Sequence, residues 1–142
     1  MLISAPIPLY LSTDSVKLPV YRDVSCGWPS PAADFREPAL SLDELVGISA
    51  CSTFLARATG TSMVGAGIHS GDILVIDKSR DALPGNIVVA IVDGEFTVKR
   101  LAKDGNHFSL VPDNPTMAPL IFGDGEEVVI WGTVTWTLHK QI

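Results

Sequence analysis

Apolar residues occur in short runs along residues 53–142, and polar or glycine-containing turns separate the runs. Short runs that are rich in valine and isoleucine are typical of β-strands. The pattern predicts strands at 54–58, 73–76, 87–92, 96–101, 108–111 and 128–138. Strands of this length and spacing favour a mostly β fold, a sandwich or barrel of short antiparallel strands.

Turn residues between the predicted strands indicate hairpins. Asp-Gly pairs stand at positions 93–94, 104–105 and 124–125, and Pro84-Gly85-Asn86 precedes the third strand. Both residues of an Asp-Gly pair tolerate positive φ, which the tight turns of β-hairpins require. Consecutive strands are therefore expected to pair as antiparallel neighbours.

One short helix is predicted after residue 40. Ser41 and Glu44 have the spacing of a capping box, in which each side chain bonds the backbone amide of the other residue. Apolar residues follow at positions 42, 45 and 46 on one helical face. Gly47 is expected to end the helix after about two turns.

Residues 1–40 differ from the rest of the chain, since they hold six of its ten prolines. Proline has no amide donor, so this region is predicted to be an extended arm that crosses a surface. We therefore predict an N-terminal arm at 1–40 and a β domain at 41–142. Pro6 and Pro8 interrupt the apolar start of the chain and no basic segment leads it, which argues against a signal peptide or a membrane span.

Composition and charge narrow the function. Hydrophobic residues make up 46% of the chain and charged residues 18%, as in globular proteins. A formal net charge of -6 would repel phosphates, so direct binding to nucleic acid is not expected. Cys26 and Cys51 form neither a CxxC motif nor a metal-binding set, and a reducing, cytoplasmic compartment is expected.

The sequence offers little support for metal or triad chemistry. His69, His107 and His139 are scattered and form no His-x-x-His pair, so no metal or cofactor is expected. Residues 60–64 read Gly-Thr-Ser-Met-Val, which is not the Gly-x-Ser-x-Gly pattern. A Ser-His-Asp triad stays open at this point, because its members need not be neighbours in sequence.

Ser62 and Lys99 remain as candidates for chemistry. Ser62 lies in a glycine-rich stretch, and Lys99 lies in a predicted strand, where lysine is uncommon. Burial disfavours an ammonium ion, so a desolvated lysine can accept the proton of a serine hydroxyl. Strand alternation puts Lys99 on the face of Thr97 and Leu101, which decides nothing about burial. These residues alone leave open a Ser-Lys site, a surface lysine or an ordinary turn around Ser62.

Four segments resemble the LexA-type self-cleaving Ser-Lys peptidases in order and spacing. They are GTSM at 60–63, GDILVID at 71–77, GNIVVA at 85–90 and DGEFTVKRL at 93–101. Within that family the chain is most similar to the UmuD-type SOS mutagenesis proteins. Cys26-Gly27 and the following PSPAADF resemble their cleavage site and the segment after it.

The resemblance implies a compact β peptidase domain in which Ser62 is the nucleophile, Lys99 the general base and Cys26–Gly27 the scissile bond. It implies a homodimer, for which the apolar residues 128–136 are a predicted interface. It also implies that a RecA–single-stranded DNA filament promotes self-cleavage. The trimmed chain, residues 27–142, would then join a UmuC-type Y-family polymerase subunit for translesion DNA synthesis.

Two other functions stay open. The chain could be a non-catalytic binding module of the same fold that acts through RecA and polymerase contacts. It could also be a peptidase for other proteins, which is less favoured because the chain carries its own matching bond. A repressor is not expected, because residues 1–26 contain no pair of amphipathic helices.

Overall fold

The structure is a computed structural model that describes residues 1–3, 6–8, 17–21, 36–48, 51–121 and 128–142. It divides into two compact units, Met1–Leu9 with Ala50–Ile142 and, separately, Tyr10–Ser49. The arm boundary proposed at residue 40 stays a prediction.

The described residues are mostly β-strand. The elements are β1 (Leu2–Ile3), β2 (Ile7–Pro8), β3 (Leu18–Tyr21), β4 (Arg36–Leu40), α1 (Leu42–Val46), β5 (Thr53–Thr59), a 3-10 turn (Val64–Ala66), β6 (Ile73–Asp77), β7 (Ile87–Val92), β8 (Glu95–Asp104), β9 (His107–Val111), β10 (Leu120–Ile121) and β11 (Val128–Leu138). All six predicted strands are present, and most extend slightly beyond the predicted ends. The predicted mostly β fold is confirmed.

The larger unit is one antiparallel sheet in the order β1-β5-β6-β11-β7-β8-β9-β10, with β2 also paired to β5. Leu2 of β1 lies opposite Thr59 of β5 and also opposite Thr97 of β8. Strand β1 therefore joins two strands that are far apart in the sheet order and closes the sheet into a small barrel. This closure brings the end of β5 close to the middle of β8.

The predicted hairpins after β7 and β8 are both present, but the Asp-Gly turn forms only at 93–94, since Asp104 is still a strand residue paired with His107. Asp93 has φ 48° and Gly94 has φ 81°, and they connect β7 to β8 where Val92 pairs with Glu95. Positive φ at both positions is the geometry of a tight hairpin turn. Gly105, with φ 59°, serves the turn from β8 to β9. The predicted turn at 124–125 lies outside the described residues.

The buried apolar residues form two clusters. One contains Met1, Ala56, Ala58, Met63, Ile68, Leu74, Ile76, Val89 and Val98. The other contains Val88, Ala90, Leu101 and Leu110. Met63 and Ile68 flank the 3-10 turn and are fully buried. The 3-10 turn that follows Ser62 is thus anchored at both ends by core side chains.

The smaller unit contains the β3–β4 pair and α1. Ser41 Oγ accepts a hydrogen bond from the Glu44 amide at 3.1 Å, and Glu44 Oε2 accepts one from the Ser41 amide at 3.4 Å. Gly47 follows with φ 66°, so the predicted capping box and stop are both confirmed. The helix spans 5 residues, which is shorter than the two turns expected. Among the described residues, no helix has the length and apolar character needed to cross a bilayer.

Candidate active site

Ser62 and Lys99 face each other in the larger unit. Ser62 follows the end of β5, and Lys99 lies in the middle of β8, opposite Val88 of β7. Lys99 Nζ lies 3.2 Å from Ser62 Oγ, although 37 positions separate them in sequence. Both residues are buried, with 3% of Ser62 and 8% of Lys99 exposed. The alternative of a surface lysine is therefore wrong.

Lys99 Nζ has three oxygen neighbours in the site. Besides Ser62, Nζ lies 3.1 Å from Thr97 Oγ1 and 3.2 Å from the Val98 carbonyl oxygen. A neutral amine has two N–H donors and one lone pair. It can donate to Thr97 and Val98 and still accept the proton of the Ser62 hydroxyl. The arrangement can therefore activate a serine by a lysine base.

Strand β1 lies in the cleft beside these two residues. The Met1 carbonyl accepts hydrogen bonds from the Val98 amide and from Thr97 Oγ1, both at 2.9 Å. The Leu2 carbonyl accepts one from Thr59 Oγ1 at 3.0 Å. An extended peptide can thus bind here by adding a strand between β5 and β8.

The amino group of Met1 points at the serine and donates a hydrogen bond to Ser62 Oγ. Burial, a hydrogen bond with Lys99 and the charge of Lys99 lower the pKa of this amine from 8.0 to about 5. A primary amine on an extended strand stands in for the amine that peptide-bond cleavage releases. The site therefore accommodates a primary amine at the start of an extended strand.

Glycine is required at two positions near Ser62 for two different structural reasons. Gly60 has φ 102°, a conformation that other residues rarely adopt. Gly65 has an ordinary φ, but a Cβ there would lie 2.6 Å from the Asp113 carbonyl oxygen. The Gly65 amide donates to that same oxygen at 2.8 Å. Gly60 thus permits a turn, whereas Gly65 permits close contact with the segment after β9.

That segment is fixed by Arg100, the residue after Lys99. Arg100 Nε lies 3.1 and 3.0 Å from the two carboxylate oxygens of Asp113, and Nη2 also contacts Oδ2. Asn114 Nδ2 donates to the Thr61 carbonyl at 3.0 Å. The resulting cleft of about 440 Å³ is lined by Met1, Leu2, Thr59, Gly60, Thr61, Ser62, Lys99, Pro112, Met117, Ala118 and Leu120.

The other predicted site residues have different outcomes. Cys26 and Gly27, the predicted scissile bond, lie outside the described residues. His69 and His139 are far apart in sequence, but their ring centroids lie 5.2 Å apart. Strand alternation predicts only that Thr97 shares a face with Lys99, whereas the structure adds the hydrogen bonds of its hydroxyl. Arg100 and Asp113 were missed, because nothing local in the sequence links β8 to the segment after β9.

The chain matches known proteins over most of its length. The Peptidase S24-like family matches residues 19–135. The chain belongs to this S24-like family. It is 45% identical over 114 residues to Protein SamA of Salmonella typhimurium, covering 80% of this chain and 79% of that protein. It is 39% identical over 129 residues to Protein ImpA of Escherichia coli, covering 89% of this chain and 87% of that one.

Other S24-like relatives include Protein MucA of Escherichia coli, 38% identical over 133 residues, with 87% of this chain and 86% of that protein covered. The LexA repressor of Caldicellulosiruptor saccharolyticus is 38% identical over 133 residues, which are 93% of this chain and 63% of the repressor. The predicted UmuD-type membership is confirmed. Membership of the S24-like family supports a self-cleaving serine peptidase with a role in SOS mutagenesis.

Proposed function

We propose that this S24-like protein is a self-cleaving serine peptidase in which Ser62 attacks, Lys99 is the general base and Cys26–Gly27 is the bond cut. The observation that carries the proposal is the 3.2 Å contact between Lys99 Nζ and Ser62 Oγ in a buried site. No metal or cofactor takes part in the proposed steps.

In the first step the Ser62 hydroxyl gives its proton to Lys99 while Oγ bonds to the Cys26 carbonyl carbon. The C–N bond to Gly27 then breaks, and the departing amine takes the proton from Lys99. Water attacks the resulting ester, with Lys99 accepting a proton from that water. The second tetrahedral species collapses to a free Cys26 carboxylate and regenerates the Ser62 hydroxyl.

The position of β1 supports this course for the leaving amine. The Met1 amine contacts both Ser62 and Lys99, where a released Gly27 amine would need to lie. The segment that carries this amine would then meet the groups that bind β1, the Val98 amide and Thr59 Oγ1. Because the two segments would use the same hydrogen-bonding groups, β1 must leave before the cleavage segment binds.

The test is the intact mass of the chain after incubation at pH 10, where more of an ordinary lysine, with a pKa of about 10.4, is neutral. We expect loss of residues 1–26 from the wild type and no loss from Ser62→Ala or Lys99→Ala. Ser79→Ala and Lys103→Ala replace an exposed serine after β6 and an exposed lysine in β8, and both variants should be cut normally. Cleavage of the Lys99→Ala chain at the wild-type rate would contradict the role of this base.

A role in SOS-induced translesion DNA synthesis is proposed from membership of the S24-like family. In a cell, cleavage would be promoted by a RecA–single-stranded DNA filament, and residues 27–142 would join a UmuC-type polymerase subunit in the cytoplasm. If the wild type stays intact at pH 10, incubation with the filament is the next measurement. Continued absence of cleavage, with mutagenesis still supported by Ser62→Ala, would favour the non-catalytic binding module.

We also propose that the protein is a homodimer through β11. Val129 and Trp136 are large apolar residues at the surface, with 55% and 42% of their area exposed. Trp131 is a poor probe, because its ring packs edge-on against Phe54 at 4.9 Å and Phe96 at 5.6 Å. Val129→Asp is therefore the cleaner variant, and an unchanged mass in solution would place the interface elsewhere.

A further inference from the structure

A second cluster of reactive side chains lies at the far end of the β6–β11 pair. Leu138, the last residue of β11, pairs with Ile73, so His139, which follows the strand, lies beside Asp72. His139 Nδ1 lies 2.5 Å from Asp72 Oδ1. His69 lies three residues before Asp72 in the turn that leads into β6. Its Nδ1 lies 3.8 Å from Asp72 Oδ2. None of these three is among the described residues that line the active-site cleft.

The burial of the three groups is uneven in a way that suits ion binding. The Asp72 side chain is only 2% exposed, whereas those of His69 and His139 are 53% and 45% exposed. Asp72 Oδ2 also accepts the His69 backbone amide at 2.8 Å, which fixes the carboxylate. The site therefore has one rigid buried ligand and two rings that can rotate toward a common point from the solvent side.

The spacing is close to that of a metal site. The potential ligand atoms of the three residues all lie within 4.8 Å of one another. Ligand atoms on a tetrahedral Zn²⁺ lie roughly 3.3 Å apart, as follows from metal–ligand distances of about 2.0–2.1 Å. Rotation of the two half-exposed imidazole rings can bring the ligand atoms to this shorter separation. Water can fill the fourth position on the ion. A set of two imidazoles and one carboxylate suits Zn²⁺ and similar first-row divalent ions and does not suit Mg²⁺ or Ca²⁺.

We propose that His69, Asp72 and His139 form a binding site for a divalent transition-metal ion such as Zn²⁺. The ion replaces the hydrogen bond between Asp72 and His139 and ties the end of β11 to the turn that precedes β6. The site is independent of the chemistry proposed for Ser62 and Lys99. The alternative is that the three residues form a hydrogen-bonded clamp at the strand end and bind no ion.

The test is calorimetric titration of tag-free Ser62→Ala chain with ZnCl₂ in chelator-free buffer, with MgCl₂ as the comparison ion. The Ser62→Ala background keeps the chain uncut, so the result does not depend on self-cleavage. We expect one Zn²⁺ per chain, no detectable Mg²⁺ binding, and a rise in Tm of about 5–10 °C at a hundredfold excess of Zn²⁺ over Kd.

Histidine variants decide whether these ligands hold the ion. We expect His69→Gln and His139→Gln each to weaken Zn²⁺ binding by at least about tenfold. His107→Gln removes the remaining histidine, which is exposed on β9, and should bind Zn²⁺ as before. Absence of Zn²⁺ binding, or equal binding by all three variants, would overturn the metal site and leave the hydrogen-bonded clamp. Tm without metal identifies a variant that fails to fold, and the other histidine variant then provides the test.

Discussion

The carboxylate of Asp113 is held by the guanidinium of Arg100, the residue that directly follows Lys99 on β8. The side chains of Lys99 and Arg100 leave the strand on opposite faces. One contacts Ser62, and the other holds the segment whose backbone packs on Gly65. Two successive residues of β8 thus organise both sides of the Ser62 turn.

Loss of this ion pair is expected to loosen the cleft. Arg100→Ala should lower the free energy of unfolding by about 1 kcal/mol, since the pair is partly exposed and screened by solvent. It should slow self-cleavage by about tenfold, because the Ser62 turn loses its support. Arg80→Ala breaks the exposed contact with Asp77 and should leave the cleavage rate unchanged. Equal rates for Arg100→Ala and wild type, measured by intact mass at pH 10, would contradict the positioning role.

Thr97 is expected to matter through its hydroxyl. Its Oγ1 donates to the strand that lies in the cleft and accepts from Lys99 Nζ. Thr97→Val keeps the shape of the side chain but removes the hydrogen bonds to the Met1 carbonyl and to Lys99 Nζ. Leaving these groups unpaired costs about 1–3 kcal/mol, and cleavage should slow by about ten- to a hundredfold. Thr97→Ser retains the hydroxyl and should restore most of the rate. If the serine and valine variants cleave alike, the hydroxyl has no part in the reaction.

Gly65 is expected to tolerate no side chain. The Cβ of an alanine would meet the Asp113 carbonyl at 2.6 Å, and backbone yields less easily than a side chain. Gly65→Ala should therefore lower the free energy of unfolding by about 1–3 kcal/mol in urea denaturation. The comparison is Gly132→Ala, whose Cβ would lie 2.7 Å from a methyl group of Ile76. Ile76 is fully buried and its methyl is attached directly to Cβ, so Gly132→Ala should be destabilising as well. An unchanged urea midpoint for Gly65→Ala would contradict the close contact with Asp113.

The binding of β1 in the cleft between β5 and β8, here called docking, is expected to depend on pH. In the docked strand the pKa of the Met1 amine is lowered to about 5, mainly by burial and then by Lys99. When β1 is released, the Met1 amine binds a proton below its ordinary pKa of 8.0. When β1 is docked, the same amine binds a proton only below about pH 5. Docking is thus fully favoured above pH 8 and weakens as the pH falls toward 5.

Hydrogen exchange of single amides can measure this effect in the Ser62→Ala chain. The Val98 amide donates to the Met1 carbonyl, so its protection factor should be lower at pH 5.5 than at pH 8. The Leu101 amide on the same strand donates to the Asn86 carbonyl and should be protected equally at both pH values. Constant protection of Val98 across this range would show that the Met1 amine does not control docking.

The sequence by itself determined the strands, their turns and the helix cap, because these depend on residues close together in the chain. The run at 87–92 became β7 with the predicted bounds, and Asp93-Gly94 formed the predicted turn. Ser62 and Lys99 could be nominated because a lysine in a strand is unusual and the surrounding segments resemble a known family. Their burial could not be read from alternation, which gives a face but not what covers it.

Only the tertiary structure decided which distant residues meet. Ser62 and Lys99 come together because the closed sheet places the end of β5 beside the middle of β8, and no local sequence pattern signals such closure. His69 and His139 meet because Leu138 pairs with Ile73, and a register shift of one residue would separate them. Local patterns report on the chain within a turn or a strand, whereas these sites depend on which strands become neighbours and in which register.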